Sequence, residues 1–149
     1  MNTKLENMKS IYGENGEPKI LIETNEKPEN YYVIEELIKE KCQNHNVEIG
    51  GIILTNGEKV LELYTFLGNE NNLRFKINIK SIEEEIEKFG NKDTYFIEYH
   101  SHPNEFEPQI SKADEVGSAI IYELIIKINP SIKFLSIVAG EKIKWYKFE

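Results

Sequence analysis

Thr94-Tyr95-Phe96-Ile97-Glu98-Tyr99-His100-Ser101-His102-Pro103, followed after the loop 104–110 by Ser111-Lys112-Ala113-Asp114, is the stretch on which the reading of this chain turns. Residues 94–100 are rich in aromatic and β-branched side chains and predict a strand. Pro103 has no amide hydrogen, so it ends the strand and turns the chain. Ser111 to Ile128 predicts a long helix with Val116, Ala119, Ile120, Leu124 and Ile128 inward. In a strand, side chains at i and i+2 share a face, so His100 and His102 project together. Asp114 falls in the first helical turn, where the positive end of the helix dipole favours a carboxylate. Ser111-x-x-Asp114 is also a capping box, and one segment can cap and ligate at once.

Outward from this centre, strands and helices alternate. Lys19 to Glu23 is a short β-type run, and Pro28 punctuates the chain. Over residues 30–44, Tyr32, Val33, Leu37 and Ile38 recur near helical spacing. Val47 to Leu54 predicts an apolar strand containing Gly50-Gly51, with Asn56-Gly57 as a hairpin turn and Lys59 to Leu67 as the partner strand. Leu73 to Ile79 alternates as a strand, and Ile82, Ile86 and Phe89 mark a short helix ended by Gly90. Phe134 to Ala139 and Lys142 to Phe148 close a hairpin around Gly140-Glu141. Residues 1–17 are polar and aperiodic and predict an N-terminal arm. Residues 18–149 predict one α/β domain, a mixed β-sheet flanked by helices.

Bulk composition narrows the classes of function. A chain of 149 residues with 40% hydrophobic content can fill the core of one domain. A formal charge of −8 repels phosphate backbones, which argues against nucleic acid as a partner. The single cysteine, Cys42, can form neither an internal disulfide nor a Cys-x-x-Cys knuckle, and a reducing, cytoplasmic compartment is the simpler expectation. Met1 to Glu6 carries no apolar signal core. No apolar run approaches the roughly 20 residues of a membrane span, so no membrane partner is expected.

Two imidazoles and one carboxylate from His100, His102 and Asp114 make a three-ligand zinc site, one ion per chain, with a fourth position open to water. Such a site needs a general base nearby. Glu48, at the start of the Gly50-Gly51 strand, is one candidate. Glu98 competes, because it shares parity with the two histidines. The Ser111 hydroxyl is placed to donate to an oxyanion. Other features read as structural. His45 belongs to a helix end, Glu83-Glu84-Glu85 to a solvated helix face, and Trp145, Tyr146 and Phe148 to strand packing, while Cys42 has no histidine partner. A His-Glu-x-x-His helix is absent, and three histidines are too few for sites that surround a His-x-His pair with more imidazoles.

Glu48, His100-x-His102-Pro103, seven residues, then Ser111-x-x-Asp114 together resemble the JAMM family of zinc metalloproteases, also called MPN-plus or JAB, in its prokaryotic form. The resemblance covers about residues 19–148, with Ile110 standing where relatives often carry proline. It implies a JAB/MPN-type domain with a cytidine-deaminase-like fold. It implies zinc on His100, His102 and Asp114, Glu48 rather than Glu98 as general acid/base, and Ser111 as oxyanion donor. The implied reaction is hydrolysis of a peptide or isopeptide bond after the C-terminus of a ubiquitin-like or sulfur-carrier protein, in a system that includes an E1-like enzyme. The alternatives are release of an amino acid such as cysteine from a carrier C-terminus, and a scaffold of the same fold without activity.

Overall fold

Strand β4 (Tyr95–Ser101) is buried along almost its whole length, and both of its faces are covered. In the computed structural model, which describes residues 20–43, 48–67, 83–84, 86–88 and 94–149, the other elements arrange around it. They are β1 (Leu21–Glu23), α1 (Tyr31–Gln43), β2 (Ile49–Thr55), β3 (Val60–Leu67), α2 (Lys112–Ile128), β5 (Lys133–Ala139) and β6 (Ile143–Phe148). The described strands form one sheet in the order β1-β6-β5-β4-β2-β3. Among these described strands only β4 and β5 run parallel, joined through α2, and the other pairs are antiparallel. The expected mixed α/β sheet is therefore present. The arm at 1–17, His45, and the strand expected at Leu73 to Ile79 lie outside the described residues. Of the short helix, residues 83–84 and 86–88 are helical, Glu83 and Glu84 are exposed, and Ile86 is buried.

The two faces of β4 divide the core. Phe96 packs with Ile52, Leu54, Phe134 and Ile86 against Ile121 and Ile125 of α2. Ile97 and Tyr99 pack with Ile53, Leu135, Ile137 and Trp145 against Ile34 and Ile38 of α1. One helix thus covers each face of the central strands. Trp145 is a packing residue as expected, and its indole N–H donates to Glu35 Oε2 at 2.8 Å.

Both helices are rotated from the expected faces. In α1 the buried positions are Ile34 and Ile38, with Cys42 packed beside them, whereas Tyr32 and Val33 are exposed. In α2 they are Asp114, Gly117, Ser118, Ala119, Ile121 and Ile125, while Val116, Ile120, Leu124 and Ile128 are only half-buried. The cause in α2 is that polar Asp114 and Ser118 turn inward toward polar groups on the sheet, and the apolar face follows them. Asn56-Gly57 does make a hairpin, within a four-residue connection between Thr55 and Val60. Gly57 takes φ +90°, and Asn56 Oδ1 accepts from the amides of Glu58 and Lys59 at 2.9 Å each. Positive φ at that position favours glycine.

Candidate metal centre

The site forms at the C-terminal end of β4, where β2 begins beside it and α2 begins above it. In the β2–β4 ladder Gly50 faces His100, and continuing that register by two residues sets Glu48 opposite His102. Opposed residues of an antiparallel pair share a face. Glu48, His100 and His102 therefore point to the side covered by α2, and Gly50 brings no side chain into that space. Ser101, the residue between the histidines, turns to the other face, where its Oγ accepts from the Ile49 amide at 2.9 Å. That buried bond fixes the start of β2 next to Glu48.

From α2, Asp114 closes the group. Ser111 is the N-cap: its Oγ accepts from Asp114 N at 3.0 Å, and Ser111 N donates to Asp114 Oδ2 at 3.0 Å. The expected capping box is present, and it aims the Asp114 carboxylate at the histidines. Oδ2 is 3.0 Å from His100 Nε2 and 3.3 Å from His102 Nε2. One potential ligand atom from each of Glu48, His100, His102 and Asp114 lies within 4.8 Å of every other. The four sequence candidates meet at one point, and together they can bind a metal ion.

The donor set passes a test of fit. His100 is almost completely buried, yet neither ring nitrogen makes a hydrogen bond of proper geometry, although Nε2 is 3.0 Å from a carboxylate oxygen. Buried polar atoms are normally satisfied. Tetrahedral ligands at about 2.0–2.2 Å from zinc are separated by about 3.3–3.6 Å edge to edge. The spacings of 3.0 and 3.3 Å are short enough for the three groups to converge on one ion.

Electrostatics give the same picture. Burial pushes the Asp114 carboxyl up, but the two imidazoles against it and the Ser111 amide more than reverse this and hold it well below the usual carboxylate range. His102 is raised, first by its bond to Asp114 and then, against the opposing effect of burial, by the charges of Asp114, Glu105 and Glu48. Without metal, the depressed Asp114 adds stability above about pH 4 that is lost as pH falls through its folded value. The raised His102 adds stability below about pH 6.5 that is lost as pH rises through its folded value. Zinc requires neutral imidazole, so it competes best where this second contribution fades. The gap in melting temperature between zinc-loaded and chelator-treated protein should therefore widen from about pH 5.5 to about pH 8.5. A gap that narrows over this range would contradict the assignment.

Three contributors had no role at the site assigned from the sequence. Ser101 is one. Glu105 is another, its carboxylate 3.1 Å from His102 Nδ1. Acidic partners of this kind commonly orient a ligating imidazole. The third is Gly140, in the β5–β6 turn that carries the ligand loop. His102 N donates to Ala139 O at 2.8 Å, Glu141 N to Glu105 O at 2.8 Å, and Lys142 N to Phe106 O at 3.2 Å. A Cβ on Gly140 would lie 2.2 Å from Glu105 O and 3.0 Å from Pro108 Cδ. Gly140→Ala should cost about 1–3 kcal/mol through overpacking and displacement of the loop. Thermal unfolding should show a fall of roughly 3–10 °C, and an unchanged melting temperature would contradict the close approach. At the other end of the loop, Ile110 packs against Leu21, Val138 and Tyr146, so an apolar anchor holds it there.

The rival base is removed from the site. Glu98 is on the expected face but buried in the layer below, where its Oε1 accepts from Ser118 Oγ and, at 3.4 Å, from Ser136 Oγ. Cys42 lies on the opposite face, and burial pushes its thiol up despite a bond to Ser101, so it is no activated nucleophile. Among the described residues no helix is long and apolar enough to cross a membrane. Comparison with protein-family models, with curated proteins and with solved structures returns no match to this chain.

Proposed function

We propose that this chain is a zinc-dependent peptidase or isopeptidase of the JAMM type. The observation that supports this best is the convergence of Glu48, His100, His102 and Asp114 from three separate elements within 4.8 Å. His100 and His102 through Nε2, and Asp114 through Oδ2, would hold the ion. Bound there, zinc would supply a water acidified to about pKa 7 and a Lewis acid for the scissile carbonyl. Glu48, opposite His102, accepts the proton of the attacking water on its carboxylate and returns it to the leaving amine. Ser111 spends a lone pair on the Asp114 amide and keeps its O–H, which donates to the developing oxyanion. Backbone bonds from His102 N to Ala139 O and from Glu141 N to Glu105 O tie the loop that carries His102 to the β5–β6 turn.

The substrate class rests on the motif resemblance. It is the C-terminus of a ubiquitin-like or sulfur-carrier protein, joined to an amine, made by a system with an E1-like enzyme. Intact ligands and base favour an enzyme over a scaffold. The test is a pair of carrier proteins ending in glycine, one joined through an isopeptide bond to a lysine side chain and one carrying a single C-terminal cysteine. Zinc-dependent cleavage of the first supports an isopeptidase, and cleavage of the second alone makes the chain a carrier-trimming enzyme. No cleavage of either by zinc-loaded protein would overturn the peptidase reading.

A further inference from the structure

Two polar contacts join β4 to α2, one above the other. The upper is the approach of His100 to Asp114 at 3.0 Å. The lower is a hydrogen bond from Ser118 Oγ to Glu98 Oε1, with Glu98 4% and Ser118 0% exposed. The spacings match. Two residues along a strand advance about 6.6 Å, and four residues along a helix rise about 6 Å, so the two contacts run as parallel rungs between strand and helix.

A carboxylate is an expensive choice for this place. It lies on the face shared by Ile52, Phe96, Phe134, Ile121 and Ile125, where apolar packing already attaches α2 to the sheet. Burying a charged or polar group there is unfavourable unless it is hydrogen-bonded. Apolar contact is tolerant of small slides and rotations, whereas a hydrogen bond is directional and fixes both. A slip of α2 by one residue would shift Asp114 by about 1.5 Å along the axis and about 100° around it. Its Oδ2 would then leave both Nε2 atoms.

We infer that Glu98 is a positioning residue for the metal centre: through Ser118 it sets the axial register and rotation of α2 that bring Asp114 against His100 and His102. This rests on the proposed function, in that the three residues must hold a metal. Ser136 bonds the same Oε1 from β5 at 3.4 Å and steadies the carboxylate from the sheet side. The rung also explains why α2 buries a serine in its apolar face.

The test titrates the full chain with zinc against a chromophoric chelator and records the visible spectrum with cobalt. It uses wild type, Ser118→Ala, Glu98→Gln and Ile125→Val. Ile125→Val loosens the same helix face two turns further on without touching the rung, and melting of each metal-free variant establishes that it is folded during the titration. Ser118→Ala should weaken zinc binding by about 10–100-fold, the usual effect of losing an outer partner, and shift the cobalt bands. Ile125→Val should stay within about threefold of wild type, because it shares no partner with the site. Glu98→Gln, which keeps an acceptor for Ser118, should lose less than Ser118→Ala. Wild-type affinity and spectrum in Ser118→Ala, or a loss no larger than that of Ile125→Val, would overturn the inference. So would a larger loss in Glu98→Gln than in Ser118→Ala, which would make the charge and not the hydrogen bond responsible. A wild type that binds neither ion would overturn the metal-site proposal itself, and the positioning role with it.

Discussion

Glu48→Gln should bind zinc as tightly as wild type and lose turnover by about 10²–10⁴-fold, the usual contribution of a positioned general acid/base. The substitution keeps the size and shape of the side chain and removes the proton acceptor. Glu48 stands opposite His102 in the continued β2–β4 register, and its ligand atom is within 4.8 Å of those of His100, His102 and Asp114. Its carboxylate joins the group in which His100 and His102 Nε2 lie 3.0 and 3.3 Å from Asp114 Oδ2. Under the proposed function it is a base acting on a metal-bound water, and the zinc titration of this variant distinguishes that role from a fourth protein ligand. A loss of zinc with Glu48→Gln would make Glu48 a ligand and close the open position that catalysis needs. Retained turnover would transfer the proton to another group. Glu98 is the only rival that the strand parity offers, and it is buried against Ser118 and Ser136.

Asp114→Ala and Ser111→Ala should part company, because Asp114 caps and ligates while Ser111 only caps and donates. Each removes one half of the capping box, and each should cost the metal-free protein about 0.5–2 kcal/mol. Zinc separates them. A structural zinc site binds with about 10–16 kcal/mol, so one protein ligand carries about 3–4 kcal/mol, and Asp114→Ala should weaken zinc roughly 10²–10³-fold. Ser111→Ala should keep zinc and lose about 10²–10³ in kcat, as expected for an oxyanion donor. Equal loss of zinc in the two variants would mean that Asp114 acts only through the helix start. Zinc retained by Asp114→Ala would remove it from the ligand set.

The candidate cluster was legible in part because three of its members are local. His100, His102 and Asp114 lie within one strand, one loop and one helical turn, and strand parity with the capping pattern aims all three. Glu48 is far from them in the chain; its place at the start of the Gly50-Gly51 strand made it a candidate, and mainly the motif resemblance preferred it to Glu98. What brings it to the site is the pairing of Gly50 with His100, a register that no periodicity encodes. The helix faces were misread for a related reason. In α2 apolar side chains surround the axis, and the face is selected by Asp114 and Ser118 turning toward His100 and Glu98. A hydrophobic stripe cannot show a polar pair that becomes internal only once the sheet is formed. Ser101, Glu105 and Gly140 were silent because their roles depend on the neighbour across a ladder or a turn: Ile49 for Ser101, His102 for Glu105, and the Glu105 carbonyl for Gly140.

The most direct test of the central claim is the zinc content of the purified full chain by elemental analysis, with His102→Ala measured in parallel. About one zinc per wild-type chain and a near-complete loss in the variant are expected, with both chains folded. Wild-type protein that holds no zinc when prepared without chelator, and takes up none when zinc is added, would contradict it.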